Sequence, residues 1–192
     1  KKTNYEGKVG YKNLDTKENI QDDTLYRIWS MTKPIIAIAA MQLVEKNLMK
    51  LNDPINFYLP EFSDLKVLKN EEEIITNTKQ LEKQPTIKDL LLHTAGFSYN
   101  FLADPVGKEY DQIKLFNSST SSLEEEVKLL ATIPLLFQPS SKWRYSVSID
   151  VLSRILEVIM KSPLQDILKN QIFLPLGMYD TNFYISKTNA SR

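Results

Sequence analysis

Apolar residues recur at helical spacing in several stretches of the chain. Ile35, Ile36, Ile38, Ala39, Met41, Leu43 and Val44 form a run that is apolar nearly all round, the pattern of a helix that crosses a core. The spacing predicts a helix over 30–46, with Pro34 in its first turn, where a missing N–H costs little. Proline disfavours helical dihedrals at Lys33, so a distorted first turn is expected, and Asn47 reads as a left-handed end. Ile149, Leu152, Ile155, Leu156 and Ile159 fall on one face of a second helix, with Ser148 as its expected cap. Thr86-Ile87-Lys88-Asp89 has the shape of a capping box before Leu90-Leu91-Leu92, and Gly96 is expected to stop that helix. Ser122 with Glu125 caps another, ending before Pro134, and Ser162-Pro163-Leu164-Gln165 restarts a helix with proline first that runs to about Ile172.

Strand signals are weaker. Residues 4–13 read as one strand with glycines, 15–23 as a polar turn and 24–28 as an extended approach to the first helix. Asp53-Pro54 opens a short turn or helix that ends by Leu59-Pro60. Residues 61–84, with Glu71-Glu72-Glu73, read as a polar surface excursion that implies no metal, and 97–120 as a long loop.

The length of 192 residues allows one domain or a domain and a half, and 42% hydrophobic residues are ample for a core. Twenty-four basic against 24 acidic residues leave no net charge, so nothing favours nucleic acid or an anionic membrane as a partner. Zero cysteines exclude disulfides and thiol catalysis, and a single histidine excludes a multi-histidine metal centre. Neither a metal nor a cofactor is expected. No apolar run approaches the roughly 18 to 20 residues of a membrane span. The chain has neither an initiator methionine nor a signal-peptide pattern and is expected to be part of something longer.

Candidate chemistry starts at Ser30-Met31-Thr32-Lys33, which puts a hydroxyl and an amine on one face of a helix start. Serine needs a base to become a nucleophile, and a lysine partly desolvated one turn away is expected to lose its proton near neutral pH and serve. The same spacing arises by chance about once in a few hundred residues, and Ser63-Asp64-Leu65-Lys66 is a second copy. The second copy precedes a charged stretch and is expected to be solvated, whereas the first opens the apolar helix. Taken alone, Ser30 reads first as a helix cap with a solvated lysine. His93, at a helix end, reads as bonding carbonyls or complementing the helix dipole.

Several separated stretches then fall into one pattern. Tyr26-Arg27-Ile28-Trp29-Ser30-Met31-Thr32-Lys33-Pro34, Leu51-Asn52-Asp53-Pro54, Leu90-Leu91-Leu92-His93-Thr94-Ala95-Gly96, Trp143-Arg144-Tyr145-Ser146-Val147 and Pro175-Leu176-Gly177-Met178 occur in that order. Together they resemble the serine β-lactamase-like and penicillin-binding family, in its class C, esterase and D,D-peptidase branch. The resemblance implies an α+β fold in which residues 1–29 supply strands of a sheet domain and 30–180 a helical region. It implies acyl transfer through a covalent serine intermediate, with Ser30 as nucleophile, Lys33 as its partner and Tyr145 as the tyrosine of the family's second motif. The Ser30 N–H would be one oxyanion donor. An ester, a peptide-like carbonyl or a β-lactam would be the substrate, and the alternative is a member that binds peptidoglycan-like peptides or a protein partner without turnover.

Two departures bear on this. Val147 stands where β-lactamases of the branch carry asparagine, which shifts the expectation from β-lactams towards esters. No Lys-Thr-Gly or His-x-Gly follows Tyr145, so the third motif and the later sheet strands are absent. The chain is therefore expected to expose an apolar face and to self-associate or be poorly active alone.

Overall fold

The computed structural model describes residues 5–72, 74–117, 120–190 and 192. Asn4 of the expected first strand and Glu73 of the acidic run lie outside them, as do Ser118 and Ser119 of the long loop. The described residues form helices and two small antiparallel hairpins, in agreement with the α+β expectation. None of these helices is long and apolar enough to cross a membrane.

Before the first helix, β1 (Tyr11–Asn13) pairs with β2 (Glu18–Asn19), so the strand expected over 4–13 is confined to its end and the polar turn contains its partner. A single 3₁₀ turn, Trp29–Met31, then leads into α1 (Thr32–Glu45). The distorted start takes this tighter form, with the Met31 N–H donating to Ile28 O at 2.9 Å. Asn47 ends the segment in the left-handed region, φ +56°. α1 buries Ile36, Ala39, Ala40 and Leu43, but Ile38 and Met41 stay 54% and 44% exposed. The helix expected to cross the core therefore lies against it on one side only, and an apolar stripe faces outwards.

The helix at the centre is α5 (Ser148–Met160), which packs against α1, α2 (Ile87–Leu92), α4 (Leu123–Leu130) and α6 (Leu164–Leu168). Its Val151, Leu152, Ile155 and Leu156 are fully buried. Each such side chain contributes about 1.5–3 kcal/mol by leaving water. The expected capping boxes of α2 and α4 are both formed, by Thr86 with Asp89 and by Ser122 with Glu125. α5 is different: Val147, not Ser148, is the N-cap, and the Ser148 hydroxyl bonds Ser146 Oγ instead. Pro163 is the N-cap of α6 rather than its first residue, and the chain continues as a wider π turn over Lys169–Phe173.

Two stretches differ from their expectations more deeply. The polar excursion contains a hairpin of β3 (Lys66–Leu68) with β4 (Thr78–Gln80). Phe62, Leu65, Val67 and Leu68 bury it, and Val67 bridges to Leu135. The long loop contains α3 (Pro105–Gln112), because Asp104-Pro105 is a helix start as well as a turn signal. Asp104 accepts the Gly107 N–H at 2.8 Å, and Val106 and Tyr110 are buried. Gly107 earns its place by proximity: a Cβ there would lie 2.4 Å from Tyr99 O and 2.5 Å from Leu102 O. Gly96 does not stop α2, which ends at His93 with φ +56°. Gly96, at φ +95°, instead lets Phe137 O approach to 2.4 Å of where a Cβ would sit.

Gly107→Ala is a sign test of this packing. Helix propensity alone would stabilise the variant by about 1 kcal/mol. The two carbonyl contacts predict a net loss on the order of 1–3 kcal/mol, read as a lower midpoint in urea or thermal denaturation.

Candidate active site

Residues 93–98 form a scaffold on which the segment after Leu135 is hung. The Leu136, Ser140, Arg144 and Val147 N–H groups donate to the carbonyls of Gly96, Thr94, His93 and Ser98, at 2.8, 2.8, 2.9 and 3.1 Å. Asp89, itself buried, anchors this scaffold by accepting from Thr94 Oγ1 at 2.8 Å and Ser140 Oγ at 2.5 Å. Burial would raise the Asp89 pKa, but these hydroxyls and the Thr86 side chain and N–H outweigh it and hold the carboxyl below its usual range.

This pairing brings Tyr145 over the start of α1. Tyr145 OH donates to Ser30 Oγ at 2.6 Å, and Lys33 Nζ donates to the same oxygen at 3.2 Å. The sequence-derived trio of Ser30, Lys33 and Tyr145 therefore meets at one oxygen, 115 residues apart along the chain in the case of Tyr145. Ser30 is exposed, and Lys33 and Tyr145 are half-buried. Trp29, just before Ser30, has φ +45°, a left-handed conformation unusual for a large side chain. Lys66 of the second Ser-x-x-Lys copy lies on β3 rather than on a helix, so that pair lacks the helical geometry.

The electrostatics correct one expectation. Burial does pull the Lys33 pKa down, but hydrogen bonds to Tyr145 and Tyr99 and the field of the two phenols outweigh it. The amine is thus held above its usual range and stays an ammonium, not the neutral base that desolvation alone suggests. Tyr145 moves the other way. Burial raises its pKa, yet Lys33 and the Ser30 hydrogen bond prevail and bring the phenol below its ordinary value. The proton balance of the site makes Tyr145 the group ready to become anionic and Lys33 the cation that favours it.

Neighbouring residues complete the setting. Tyr99 lies in the stretch expected to be loop, and its ring packs on Tyr145 at 5.3 Å and on Phe101 at 4.8 Å. Lys33 Nζ sits 4.8 Å from the Tyr145 ring centre and 5.4 Å from that of Tyr99, a cation between two π faces. His93 neither bonds carbonyls through its ring nor complements a dipole. Its ring packs on Tyr145 at 5.0 Å, and Nδ1 accepts the Ser146 N–H at 3.2 Å, which leaves the proton on Nε2. Burial and the Lys33 charge lower its pKa, so it remains a neutral support for Tyr145. Asp150, in the first turn of α5, also lies in the field of Lys33, and burial raises its carboxyl to about 6. The only sequence signal for Tyr99 and Asp150 was their closeness to the Gly96 and Tyr145 stretches.

The family model described as Beta-lactamase matches residues 1–192. The chain is 37% identical over 179 residues to the protein Rv1367c of Mycobacterium tuberculosis, covering 93% of this chain and 44% of that one. It is 32% identical over 182 residues to the esterase EstB of Burkholderia gladioli, covering 93% and 43%. In three dimensions it superposes on EstCE1, a hydrolase with promiscuous acyltransferase activity, with a TM-score of 0.78 at 31% identity, over 94% of this chain and 45% of that one. The chain thus spans less than half the length of the curated relatives it matches.

The charge balance at Lys33 has a spectroscopic signature. In an ultraviolet difference titration of the wild type against Tyr145→Phe, the missing tyrosine ionises below the usual pH near 10. In Lys33→Met the cation is gone, so the same phenol ionises at higher pH. An unchanged Tyr145 midpoint in Lys33→Met would show that the ammonium does not tune it.

Proposed function

We propose, for a chain that belongs to the beta-lactamase family, that Ser30 is the nucleophile of a serine hydrolase acting on esters through an acyl-enzyme. The activity is that of the whole protein. The observation that carries this reading is the double hydrogen bond at Ser30 Oγ, from Tyr145 OH at 2.6 Å and Lys33 Nζ at 3.2 Å.

The chemistry follows from the charges. With Tyr145 ionised, the direction of its hydrogen bond reverses: the Ser30 O–H donates to the phenolate. As Ser30 Oγ bonds to the ester carbonyl carbon, the serine proton passes to Tyr145 and the carbonyl oxygen becomes an oxyanion. The Ser30 N–H, at the start of α1, is one donor placed to receive it. Collapse breaks the bond to the alcohol, which leaves with the proton from Tyr145. Water then gives a proton to Tyr145, attacks the acyl carbon and expels Ser30, which recovers its proton. Lys33 stays an ammonium throughout, supporting the phenolate, and His93 and Tyr99 hold the Tyr145 ring.

The substrate class leans towards esters. Val147 offers no amide to a substrate, and its side chain is buried, 2% exposed. A β-lactam or peptide carbonyl would lack the side-chain amide contact that the family's asparagine supplies. The esterase named among the relatives supports the same choice.

Mass spectrometry after exposure of the full-length protein to an activated ester tests the reading. A covalent acyl adduct on Ser30, lost in Ser30→Ala, is the expected result, and an intact protein that takes up no adduct would leave only a binding role. Tyr145→Phe is expected to lower kcat/KM for the ester by about 10²- to 10⁴-fold, the usual worth of a general base. The wild-type kcat/KM is expected to rise with pH through neutrality, because the working form is the phenolate, and Tyr145→Phe removes that limb.

A further inference from the structure

We propose that the small cavity between α3 and the start of α5 binds the acyl part of the ester, and that it selects a short chain carrying an acceptor oxygen. The inference rests on the ester reading above and deepens it.

The cavity has a volume of about 130 Å³, and Tyr99, Tyr110, Leu115, Phe116 and Val147 are among the residues that line it. At roughly 30 Å³ for each water-sized group, it has room for about four or five non-hydrogen atoms. It adjoins the candidate site through two residues. Tyr99 packs its ring on Tyr145, and Val147 follows Tyr145 by two positions. Tyr145 in turn holds Ser30 Oγ. An acyl group on Ser30 that passes Tyr99 enters an apolar space of the size of a short branched or substituted chain.

One polar group in its wall is unsatisfied. Tyr110 is fully buried, and its phenol oxygen has no geometrically good hydrogen-bond partner among the described residues. The nearest influence on it is the Ser98 backbone, which can only donate to that oxygen, so the phenol's own hydrogen still lacks an acceptor. Leaving a buried donor unmade costs free energy comparable to a lost hydrogen bond. A purely hydrophobic pocket would carry phenylalanine here. The geometry of a neutral donor in an otherwise apolar wall matches a ketone or ether oxygen on a short acyl chain, and does not match a carboxylate, which has no cation in the lining to meet it.

The test uses the full-length protein and two esters of one alcohol, the 4-oxopentanoate and its near-isostere the 4-methylpentanoate. The ratio of kcat/KM for the oxo over the methyl ester is expected to fall about three- to tenfold in Tyr110→Phe, the worth of one neutral hydrogen bond. An unchanged ratio overturns the proposal. Leu115→Phe, which takes up cavity volume, is the second variant. It is expected to lower the preference for the 4-oxopentanoyl over the acetyl ester by a similar factor, and an unaltered preference again overturns the pocket. If no ester is turned over at all, the serine reading fails on its own. The pocket is then judged in Ser30→Ala by titration with unreactive methyl 4-oxopentanoate. Weaker binding by the same factor in Tyr110→Phe supports it, and equal binding sinks it.

Discussion

A lysine that stays charged against its own burial is what the rest of the site depends on. Half-buried Lys33 loses solvation, and desolvation alone would discharge it. The two phenols and the serine hydroxyl around it outweigh that loss. Because the cation persists, the neighbouring phenol ionises more readily than a free tyrosine, and the serine has an oxygen base rather than a nitrogen one. Remove the charge and the same atoms, at the same distances, become a serine beside an ordinary phenol. The site is therefore defined less by its three side chains than by where their protons reside.

Holding that balance requires two distant parts of the chain to be registered to within ångströms. Ser30 and Lys33 ride on α1, and Tyr145 sits just before α5; the two helices pack directly. Packing alone would leave the approach to α5 free to slide. The amide donations from Leu136, Ser140, Arg144 and Val147 onto 94–98 and His93, with the Asp89 carboxylate beneath, remove that freedom. His93 is bound from both ends, through its carbonyl and through its ring. A single histidine thus serves the tyrosine as a wall, not as a titrating group.

Much of this was legible in the sequence, and the rest was not for identifiable reasons. The capping boxes at Thr86 and Ser122 were readable because a cap is a local bargain between residues three apart. Ser30 and Lys33 share a helix start, so their meeting followed from spacing, while Tyr145 came only through the resemblance, since nothing local relates it to Ser30. α3 was missed because Asp104-Pro105 and Gly107 read as loop punctuation, and burial of Tyr110 is a tertiary fact. The hairpin of β3 and β4 was missed because Val67 and Leu68 sit in a polar neighbourhood and find their apolar cover at Leu135, far along the chain. The charge of Lys33 could not be read either, because its sign depends on two phenols that the sequence places more than 60 residues away.

The turn before Ser30 sets the terms on which this protein can vary. Trp29 holds a left-handed backbone that glycine would adopt freely and that costs a large residue on the order of 1 kcal/mol or more. Its ring is 75% exposed and lies under the Arg27 guanidinium at 5.9 Å, so little of that cost is recovered by burial. Selection for stability alone would replace it; selection for a rigid nucleophile would keep it. Position 29 is thus a place where thermal robustness and turnover are traded in a single codon, and the route to a hardier enzyme runs through other parts of the chain.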